Sequence, residues 1–389
     1  MKIAYVDAFQ NLPVNSGTDW YTLQLLTDLM ASADVHLYHT QKVNGKRGYV
    51  PKNAVTQEYI PQRIAWSRIS STLEQLRPEM LLDKSGIDSV DADVVFTRIF
   101  SYHIARHIAK ANDAPIVLVM QNVEWEYLKH EGYTPLVYAP ARLYEEYVLK
   151  RADAVTALSP RDYAFATART SAEKVFYVPY EPNSQIFGSD NTSRYDYGHD
   201  KLNALFYGSL DRHHNVAALE FIKHELIPKL KECKVFDSIR VNVFGSGAPP
   251  GALDLKNDAD INYLGQVESP GPYIRGSDVV IVPVRNPGGV KVRVLEALSC
   301  HKPVIAFPEA TVGLEDEPLT AIAVANTAEG FVDALKSLTQ KVRSLGGTRS
   351  IQSSATVATA RDAMYCALEQ KTKRKKVGEH WHTLFHTSK

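Results

Sequence analysis

The sequence predicts an α/β protein with two Rossmann-like, doubly wound domains that face each other across a cleft. Three observations lead to this prediction. The chain has 389 residues, which is too long for one ordinary hydrophobic core. Short apolar segments alternate with helical patterns, an order typical of right-handed crossovers between parallel strands. The alternation stops in a polar segment rich in Ser, Asn, Asp and Gly and then begins again.

These observations divide the chain into four parts. We predict an N-terminal domain over 1–182, a linker over 183–200, a second Rossmann-like domain over 201–350, and a C-terminal helix with a basic tail over 351–389. Open α/β sheets bind their ligands beyond the carboxyl ends of the strands. The loops that follow the strands are therefore the expected positions of functional residues.

The N-terminal half contains six apolar segments of strand length. The segment Ile116–Met120 is apolar without interruption, as expected for a parallel strand that is buried on both faces. The predicted strands are 2–7, 35–39, 93–96, 116–120, 154–157 and 175–178. The helical patterns between them predict helices over 19–31, 103–110, 140–152 and 160–170.

The same alternation returns after the polar segment. The predicted strands of the second half are 202–207, 240–244, 261–263, 278–284 and 304–307. The predicted helices are 215–231, one that begins after Pro287-Gly-Gly, one over 328–338, and a long final helix over 351–370.

Composition and charge exclude several classes of protein. Lys plus Arg and Asp plus Glu both total 44, so nothing in the net charge indicates a nucleic-acid partner. The three cysteines lie far apart and predict neither a disulfide framework nor a zinc site, which favours a reducing, cytoplasmic compartment. The N-terminus lacks the pattern of a signal peptide, and no apolar run approaches the roughly 18–20 residues of a membrane span.

The C-terminal tail has two interpretations. It carries the basic cluster Lys371-Thr-Lys-Arg-Lys-Lys, followed by Trp381, Leu384 and Phe385. One interpretation is a solvated, frayed end. The other is peripheral contact with an anionic membrane, where each basic residue contributes about 1 kcal/mol. The second interpretation predicts a position at the inner face of the membrane.

Two glycine-containing turns follow predicted strands of the second half. Gly208-Ser209 ends one strand, and a glycine there permits close approach of the backbone to a phosphate. Arg212 adds a guanidinium suited to a diphosphate, and Asn215 is a favourable helix N-cap. Gly245-Ser246 ends the next strand in the same way. The alternative is an ordinary strand-to-helix turn, because a lone glycine-rich turn is a weak signal.

The segment Gly288-Gly-Val-Lys-Val-Arg293 raises a more specific question. Lys291 and Arg293 lie at the start of a predicted helix, where the helix dipole disfavours cations. An anion held by the glycine and helix N–H groups would make both cations favourable. Glu296, three residues after Arg293, then suits the hydroxyls of a ribose. The alternative is an Arg293–Glu296 ion pair on a solvent-exposed face.

These residues resemble a known family. The segment Gly-Gly-Val-Lys-Val-Arg-Val-Leu-Glu-Ala-Leu-Ser-Cys-His-Lys-Pro-Val-Ile-Ala, followed by Val-Gly-Leu-Glu at 312–315, is similar to the nucleotide-sugar signature of retaining GT-B glycosyltransferases. Phe-Tyr-Gly-Ser-Leu-Asp at 206–211 resembles the loop that opens their C-terminal domain. The similarity covers most of the chain and is strongest over 202–315. It implies the GT-B fold, with the final helix crossing back to the N-terminal domain.

The resemblance also implies roles for individual residues. Glu296 corresponds to the glutamate that binds the donor ribose, and Gly17 to the glycine-rich first loop. Arg212, Lys291 and Arg293 would stabilise the leaving diphosphate, and Gln121 would contact the transferred sugar. Apart from the resemblance, His103 is a candidate for the acceptor side, and the alternative is a structural histidine at a helix start. The implied donor site consists of Gly17, Gly208, Ser209, Arg212, Gly245, Ser246, Gly288, Gly289, Val290, Lys291, Arg293 and Glu296.

Two positions depart from the family pattern. Gly288 stands where many members carry a first glutamate, so the chain resembles the branch that lacks it. Gln121 stands where many have a histidine, although its amide can still bond a sugar hydroxyl. Both departures bear on contacts with the transferred sugar.

The resemblance implies a retaining hexosyltransferase that uses a UDP- or GDP-linked sugar as co-substrate and needs no cofactor or obligatory metal. The expected acceptor is a glycan or lipid-linked intermediate in the synthesis of a cell-surface polysaccharide or glycoconjugate. A nucleotide-sugar epimerase or phosphorylase on the same fold, or a non-catalytic nucleotide-sugar-binding partner, are the alternatives.

Overall fold

The computed structural model describes residues 1–9, 17–30, 33–41, 56–59, 90–188, 192–285, 291–314 and 321–344. The chain divides into two compact units, with the main boundary between Tyr180 and Glu181. Each unit is built on its own sheet of parallel strands. Within the described ranges, no helix is both long enough and apolar enough to cross a membrane.

The sheet of the N-terminal unit has the strand order β3-β2-β1-β4-β5-β6-β7 among the described residues, and neighbouring strands run parallel. Its strands are β1 Lys2–Phe9, β2 Asp34–Gln41, β3 Thr56–Tyr59, β4 Val94–Thr97, β5 Ile116–Met120, β6 Ala154–Ala157 and β7 Val175–Tyr177. The α-helices between them are Gly17–Met30, Tyr102–Asn112, Glu124–His130, Pro135–Arg151 and Pro160–Thr167.

The second sheet has the order β10-β9-β8-β11-β12-β13 among the described residues and is also parallel. Its strands are β8 Leu202–Ser209, β9 Ile239–Ser246, β10 Ile261–Tyr263, β11 Val279–Val282, β12 Val304–Ala306 and β13 Ile322–Val324. Its α-helices are Ser184–Phe187, His213–Phe221, Ile227–Glu232, Gly271–Gly276, Val292–Ser299 and Ala328–Ser344, with a π-helical segment over Ile222–Leu226.

Apolar strands form the core of each unit. Every residue of β4, β5, β6, β11 and β12 is buried, as expected for mostly apolar strands once helices cover both faces of a parallel sheet. The GT-B fold class predicted from the sequence, two doubly wound Rossmann-like sheets, is confirmed. The predicted final helix over 351–370 and the basic tail lie outside the described residues.

The order in which strands are added to each sheet reverses beside its first strand. β1 lies between β2 and β4, and β8 lies between β9 and β11, so the crossovers leave each first strand in opposite directions. Such a switch point opens a crevice at the carboxyl ends of the strands, where ligands of open α/β sheets bind. In the second sheet the crevice is bordered by the end of β8 and by the chain that follows β11.

Two helix boundaries differ from the prediction because of proline. The helix predicted to begin at Pro140 begins at Pro135, since a proline fits the first turn, and Pro140 is then carried inside the helix. The helix predicted over 215–231 is interrupted by the π-helical segment just before Pro228, whose ring and missing N–H disfavour a regular α-helical turn there. Strands β3 and β13 were not predicted.

Candidate functional site

The end of β8 forms one side of the candidate site. Gly208 has φ +152°, which L side chains rarely adopt. A Cβ at this position would lie 2.6 Å from Nη2 of Arg293 and 3.1 Å from Nδ2 of Asn215. Gly245, which pairs with Gly208 in the sheet, is equally constrained because a Cβ there would collide with the carbonyl oxygen of Gly208. The glycines therefore let two strand ends and an arginine pack against one another.

Arg293 lies in the first turn of the helix Val292–Ser299, which we call the site helix. Its Nη2 donates a 2.7 Å hydrogen bond to Oδ1 of Asn215, and Asn215 Nδ2 donates a 2.8 Å bond to the carbonyl oxygen of Ser209. The guanidinium also lies over the Phe206 ring, 5.2 Å from its centroid. Asn215 thus connects the arginine to the end of β8, which fixes where the positive charge lies.

The second amino group of Arg293 has a different environment. Although the side chain as a whole is partly accessible, Nη1 is buried and has no hydrogen-bond partner among the described residues. Burial lowers the pKa of this guanidinium, because the charged form loses hydration. A buried, charged donor without a partner is costly, so native proteins rarely retain one without a reason. An anion at the switch point would supply the missing acceptor.

Glu296 lies on the same helix and is only 3% exposed. Its Oε2 accepts a 2.9 Å hydrogen bond from Oη of Tyr207. Burial and the charge of Glu296 raise the pKa of Tyr207 well above its usual range, so the phenol keeps its proton as a donor. The alternative of an Arg293–Glu296 pair on a solvent-exposed face is wrong, because this carboxylate is buried against the sheet.

The remaining predicted residues of the second unit surround this core. Lys291 is the N-cap of the site helix, and its carbonyl oxygen accepts a 2.8 Å bond from the N–H of Val294. The hydroxyl groups of Ser209 and Ser246 are 3.3 Å apart at the adjacent ends of β8 and β9. Arg212 is exposed in the same turn. Gly288, Gly289 and Val290 lie outside the described residues.

Asn215 does not have the position expected from the sequence. The helix that follows β8 begins at His213, its N-cap is Arg212, and Asn215 is the third residue of the helix. The N-cap prediction is therefore wrong, because Asn215 is 2% exposed and points its amide at Ser209 and Arg293. Neither Asn215 nor Tyr207 was predicted as a site residue, and both were missed because their partners on the site helix lie 78 and 89 residues further along the chain.

The residues predicted for the other substrate lie in the N-terminal unit. Gln121 follows β5, is 3% exposed, and donates a 3.2 Å bond to the hydroxyl of Thr22. His103 lies in the first turn of the helix Tyr102–Asn112. Gly17, which was predicted for the donor site, is the first residue of the helix Gly17–Met30 and groups with the second unit. Their roles in binding stay predictions.

A buried ionic cluster occupies the switch point of the first sheet. Arg98 follows β4, with Nη1 3.5 Å from Oδ2 of Asp7 and Nη2 3.6 Å from Oε1 of Glu124. Glu145 accepts bonds of 3.0 and 3.3 Å from the N–H groups of Glu124 and Trp125, so Glu145 caps the helix Glu124–His130. Burial, with the nearby charge of Glu124, raises the pKa of Glu145 to about 8. The sequence did not predict Asp7 or Glu145 here.

Metal binding was not expected from the sequence. Among the described residues, no group of three or more His, Cys, Asp or Glu side chains is placed to hold a metal ion. Independence from metal nevertheless stays a prediction.

Two doubly wound parallel sheets in one chain, with an arginine and a buried carboxylate at the switch point of the second, are typical of the GT-B class of fold. Residues 201–341 match the family model of glycosyl transferases group 1. The matched segment contains the part of the candidate site that lies in the second unit. The resemblance to GT-B glycosyltransferases inferred from the sequence is therefore confirmed.

Solved structures share the fold at low sequence identity. Sucrose-phosphate synthase (tll1590) from Thermosynechococcus elongatus is 17% identical with a TM-score of 0.67, and the match covers 88% of this chain and 90% of that one. Anabaena Alr3699/HepE in complex with UDP-glucose is 14% identical with a TM-score of 0.61, covering 90% and 95%. The E. coli trehalose-6-phosphate protein bound with UDP-2-fluoro glucose is 12% identical with a TM-score of 0.56, covering 90% and 96%. No curated protein sequence matches this chain.

Proposed function

We propose that this protein is a retaining glycosyltransferase that moves a hexose from a nucleoside diphosphate sugar to a glycan or lipid-linked acceptor. One observation carries the proposal. The buried Nη1 of Arg293 has no partner among the described residues, and it lies where a helix follows the central strands of the second sheet. The other amino group, Nη2, donates a hydrogen bond to Asn215, and this bond orients the guanidinium for an anion.

The chemistry of sugar transfer explains this arrangement. When the bond between the sugar and the diphosphate breaks, negative charge grows on the leaving phosphate oxygens. Preorganised donors at that point lower the barrier, typically by several kcal/mol, because they need no reorganisation during the reaction. Arg293, the helix N-terminus and the hydroxyls of Ser209 and Ser246 are such donors. Glu296 accepts hydrogen bonds and therefore suits the ribose hydroxyls rather than the phosphates.

The finer parts of the proposal rest on different support. The UDP-glucose and UDP-2-fluoro glucose in two solved structures of the same fold support a nucleoside diphosphate sugar as the donor. Retention of configuration, metal independence and a hexosyl group rest on the resemblance of the motif. The acceptor, its role in surface polysaccharide synthesis, and a position at the inner membrane face rest on that resemblance and on the basic tail.

The donor site can be tested by binding. We expect a screen of UDP- and GDP-linked sugars to raise the melting temperature of the wild-type chain for at least one donor. Arg293→Ala and Glu296→Ala should each weaken the Kd of that nucleotide at least about tenfold, or 1.4 kcal/mol. Lys231→Ala is the matched control, because Lys231 is exposed and pairs with Asp260 at another surface. Equal isotherms for all four chains would contradict the site.

Release of the sugar separates the proposed transferase from its alternatives. A transferase hydrolyses its donor slowly to the nucleoside diphosphate and free sugar when water replaces the acceptor. Donor binding without sugar release would favour a non-catalytic binding protein, and a change of sugar configuration with the nucleotide still attached would favour an epimerase. Absence of binding by any nucleotide sugar would overturn the proposal.

A further inference from the structure

Large apolar side chains are concentrated on the surface of one segment of the N-terminal unit. Among the described residues, the large apolar side chains that are exposed are Tyr133, Leu136, Leu143 and Val324. The first three lie just before or inside the helix Pro135–Arg151. Leu136 is 86% exposed and Leu143 is 70% exposed, so most of each side chain lies in water. A single exposed leucine is ordinary, whereas a cluster of exposed apolar groups marks an interaction surface.

The apolar residues form a stripe along the solvent side of the helix. We call it the outer stripe, and it consists of Leu136, Pro140, Leu143 and Tyr147. Their spacing of four, three and four residues places them on a single face of an α-helix. The buried residues of the helix lie on the opposite face and are Ala141, Glu145, Val148 and Leu149. The helix therefore packs on its own unit through one face and presents the leucines of the other face to solvent.

Basic side chains border the outer stripe. Lys150 and Arg151 are exposed in the last turn of the same helix. The Arg151 guanidinium lies over the Tyr147 ring, 3.9 Å from its centroid. From the helix Tyr102–Asn112, Nη1 of Arg106 donates a 3.3 Å hydrogen bond to Oη of the same tyrosine. Three cations therefore surround one end of the stripe.

Glu146, the acidic residue of the helix outside its buried face, does not balance this charge. Its Oε1 lies 3.2 Å from Nε of Arg142 and 3.8 Å from Nε of Arg169, so two arginines accompany one carboxylate. The surface around the outer stripe is therefore positive. Two copies of such a surface repel each other, which disfavours a second copy of the chain as the partner. A negatively charged partner is complementary to it.

We propose that the outer stripe binds an anionic lipid bilayer, with Leu136 and Leu143 among the acyl chains and Lys150 and Arg151 at the lipid phosphates. Exposed leucines bordered by Lys and Arg are the pattern of a helix that lies in a membrane interface. The inference rests on the proposed function, which puts the chain at a membrane face. It assigns to the N-terminal unit a contact that is separate from the basic tail.

The test measures how the full chain partitions onto vesicles of phosphatidylcholine with or without phosphatidylglycerol, by cosedimentation at low and high salt. The main variant combines Leu136→Gln with Leu143→Gln, because both positions are exposed and glutamine is a good helix former. Val324→Gln is the matched control, since Val324 is a 54% exposed apolar residue on β13 of the other sheet. Lys150→Glu tests the charge.

We expect the wild-type chain to bind the vesicles that contain phosphatidylglycerol. The double leucine variant should bind them at least about tenfold more weakly, because it loses the burial of two apolar side chains. Lys150→Glu should weaken binding about fivefold or more at low salt and less at high salt, since salt screens its attraction to the lipid phosphates. Val324→Gln should bind as the wild-type chain does.

Each other outcome overturns the inference. Equal vesicle binding by the wild-type chain and the double leucine variant would leave the basic tail as the membrane contact. Dimers in sedimentation velocity without lipid, lost in the double leucine variant, would make the outer stripe an interface between copies of the chain. A wild-type chain that binds a nucleotide sugar but no vesicle would exclude the membrane surface and leave the proposed transfer reaction intact. Melting temperatures of all variants separate loss of binding from loss of folding.

Discussion

Gly208→Ala gives the sharpest test of how the site is assembled. The new Cβ would lie 2.6 Å from Nη2 of Arg293, closer than real Cβ atoms come to another heavy atom. The guanidinium is the far end of a flexible side chain, so it can move, but moving it breaks the 2.7 Å bond to Asn215. The alanine must also adopt φ +152°. The substitution therefore perturbs both the backbone and the anion-binding group.

The expected loss of stability follows from these two effects. Backbone strain of this kind costs about 1–3 kcal/mol, and a lost hydrogen bond to a charged group costs about 1.5–3 kcal/mol. Because the backbone relaxes in part, we expect the free energy of unfolding to fall by about 2–4 kcal/mol. The nucleotide Kd should rise at least about tenfold, since Arg293 no longer faces the end of β8.

Substitutions at two other glycines separate the backbone strain from the clash with Arg293. Gly251→Ala is the matched control, because a Cβ there meets no atom within 4 Å and the residue is not in the left-handed region. Gly132→Ala tests strain alone, with φ +83° and no atom within 4 Å. Unfolding would be followed by denaturant titration and nucleotide binding by calorimetry. A Gly208→Ala chain that matches Gly251→Ala in both measurements would refute the steric reasoning.

Three further predictions concern Asn215, Glu145 and the tail. Asn215→Ala removes the hydrogen-bond acceptor of Arg293 Nη2 and should weaken nucleotide binding about fivefold, or roughly 1 kcal/mol. An unchanged Kd would contradict this role of Asn215. The pKa of Glu145 is about 8 in the folded protein, against an ordinary glutamate pKa of 4.5. Between these two pH values the folded state holds a proton that the unfolded state has lost. The free energy of unfolding therefore falls by about 1.4 kcal/mol for each pH unit as the pH rises through this range. Glu145→Gln should flatten that fall in denaturant unfolding from pH 5 to 8, and an identical slope in both chains would refute the assignment. Deleting residues after Gln370 should reduce binding to anionic liposomes at low salt, and equal binding would exclude the membrane contact.

The predicted and observed elements agree best where burial alone decides the structure. β5 and β6 have the predicted bounds, because a mostly apolar run between polar turns leaves few choices in a parallel sheet. Agreement is poorest where local chemistry competes with the pattern. The π-helical segment before Pro228 and the helix that carries Pro140 both follow from how proline is accommodated, which apolar periodicity does not report.

The candidate site, like the fold, has features that the sequence predicts and features that only the structure shows. Cations at the start of the site helix are an electrostatic conflict that is visible in the sequence, and that conflict predicts an anion. The burial of Glu296 decided between a ribose ligand and a surface ion pair, and burial is a property of the packed sheet. The ionic cluster around Arg98 was likewise invisible, since Asp7 and Glu124 are separated by more than a hundred residues.

The sequence by itself determined the alternation of strands and helices, the restart after the polar segment, and the charged motif that places Lys291, Arg293 and Glu296 on one short helix. Each of these features depends on residues close together in the chain, so the apolar pattern, the composition and the motif are enough to predict it. Only the tertiary structure decided that Asn215 holds Arg293, that Tyr207 bonds Glu296, and that Gly208 must be a glycine. The reason is that parallel crossovers bring the ends of β8 and β11 together at a switch point, and each of these contacts joins residues on either side of it.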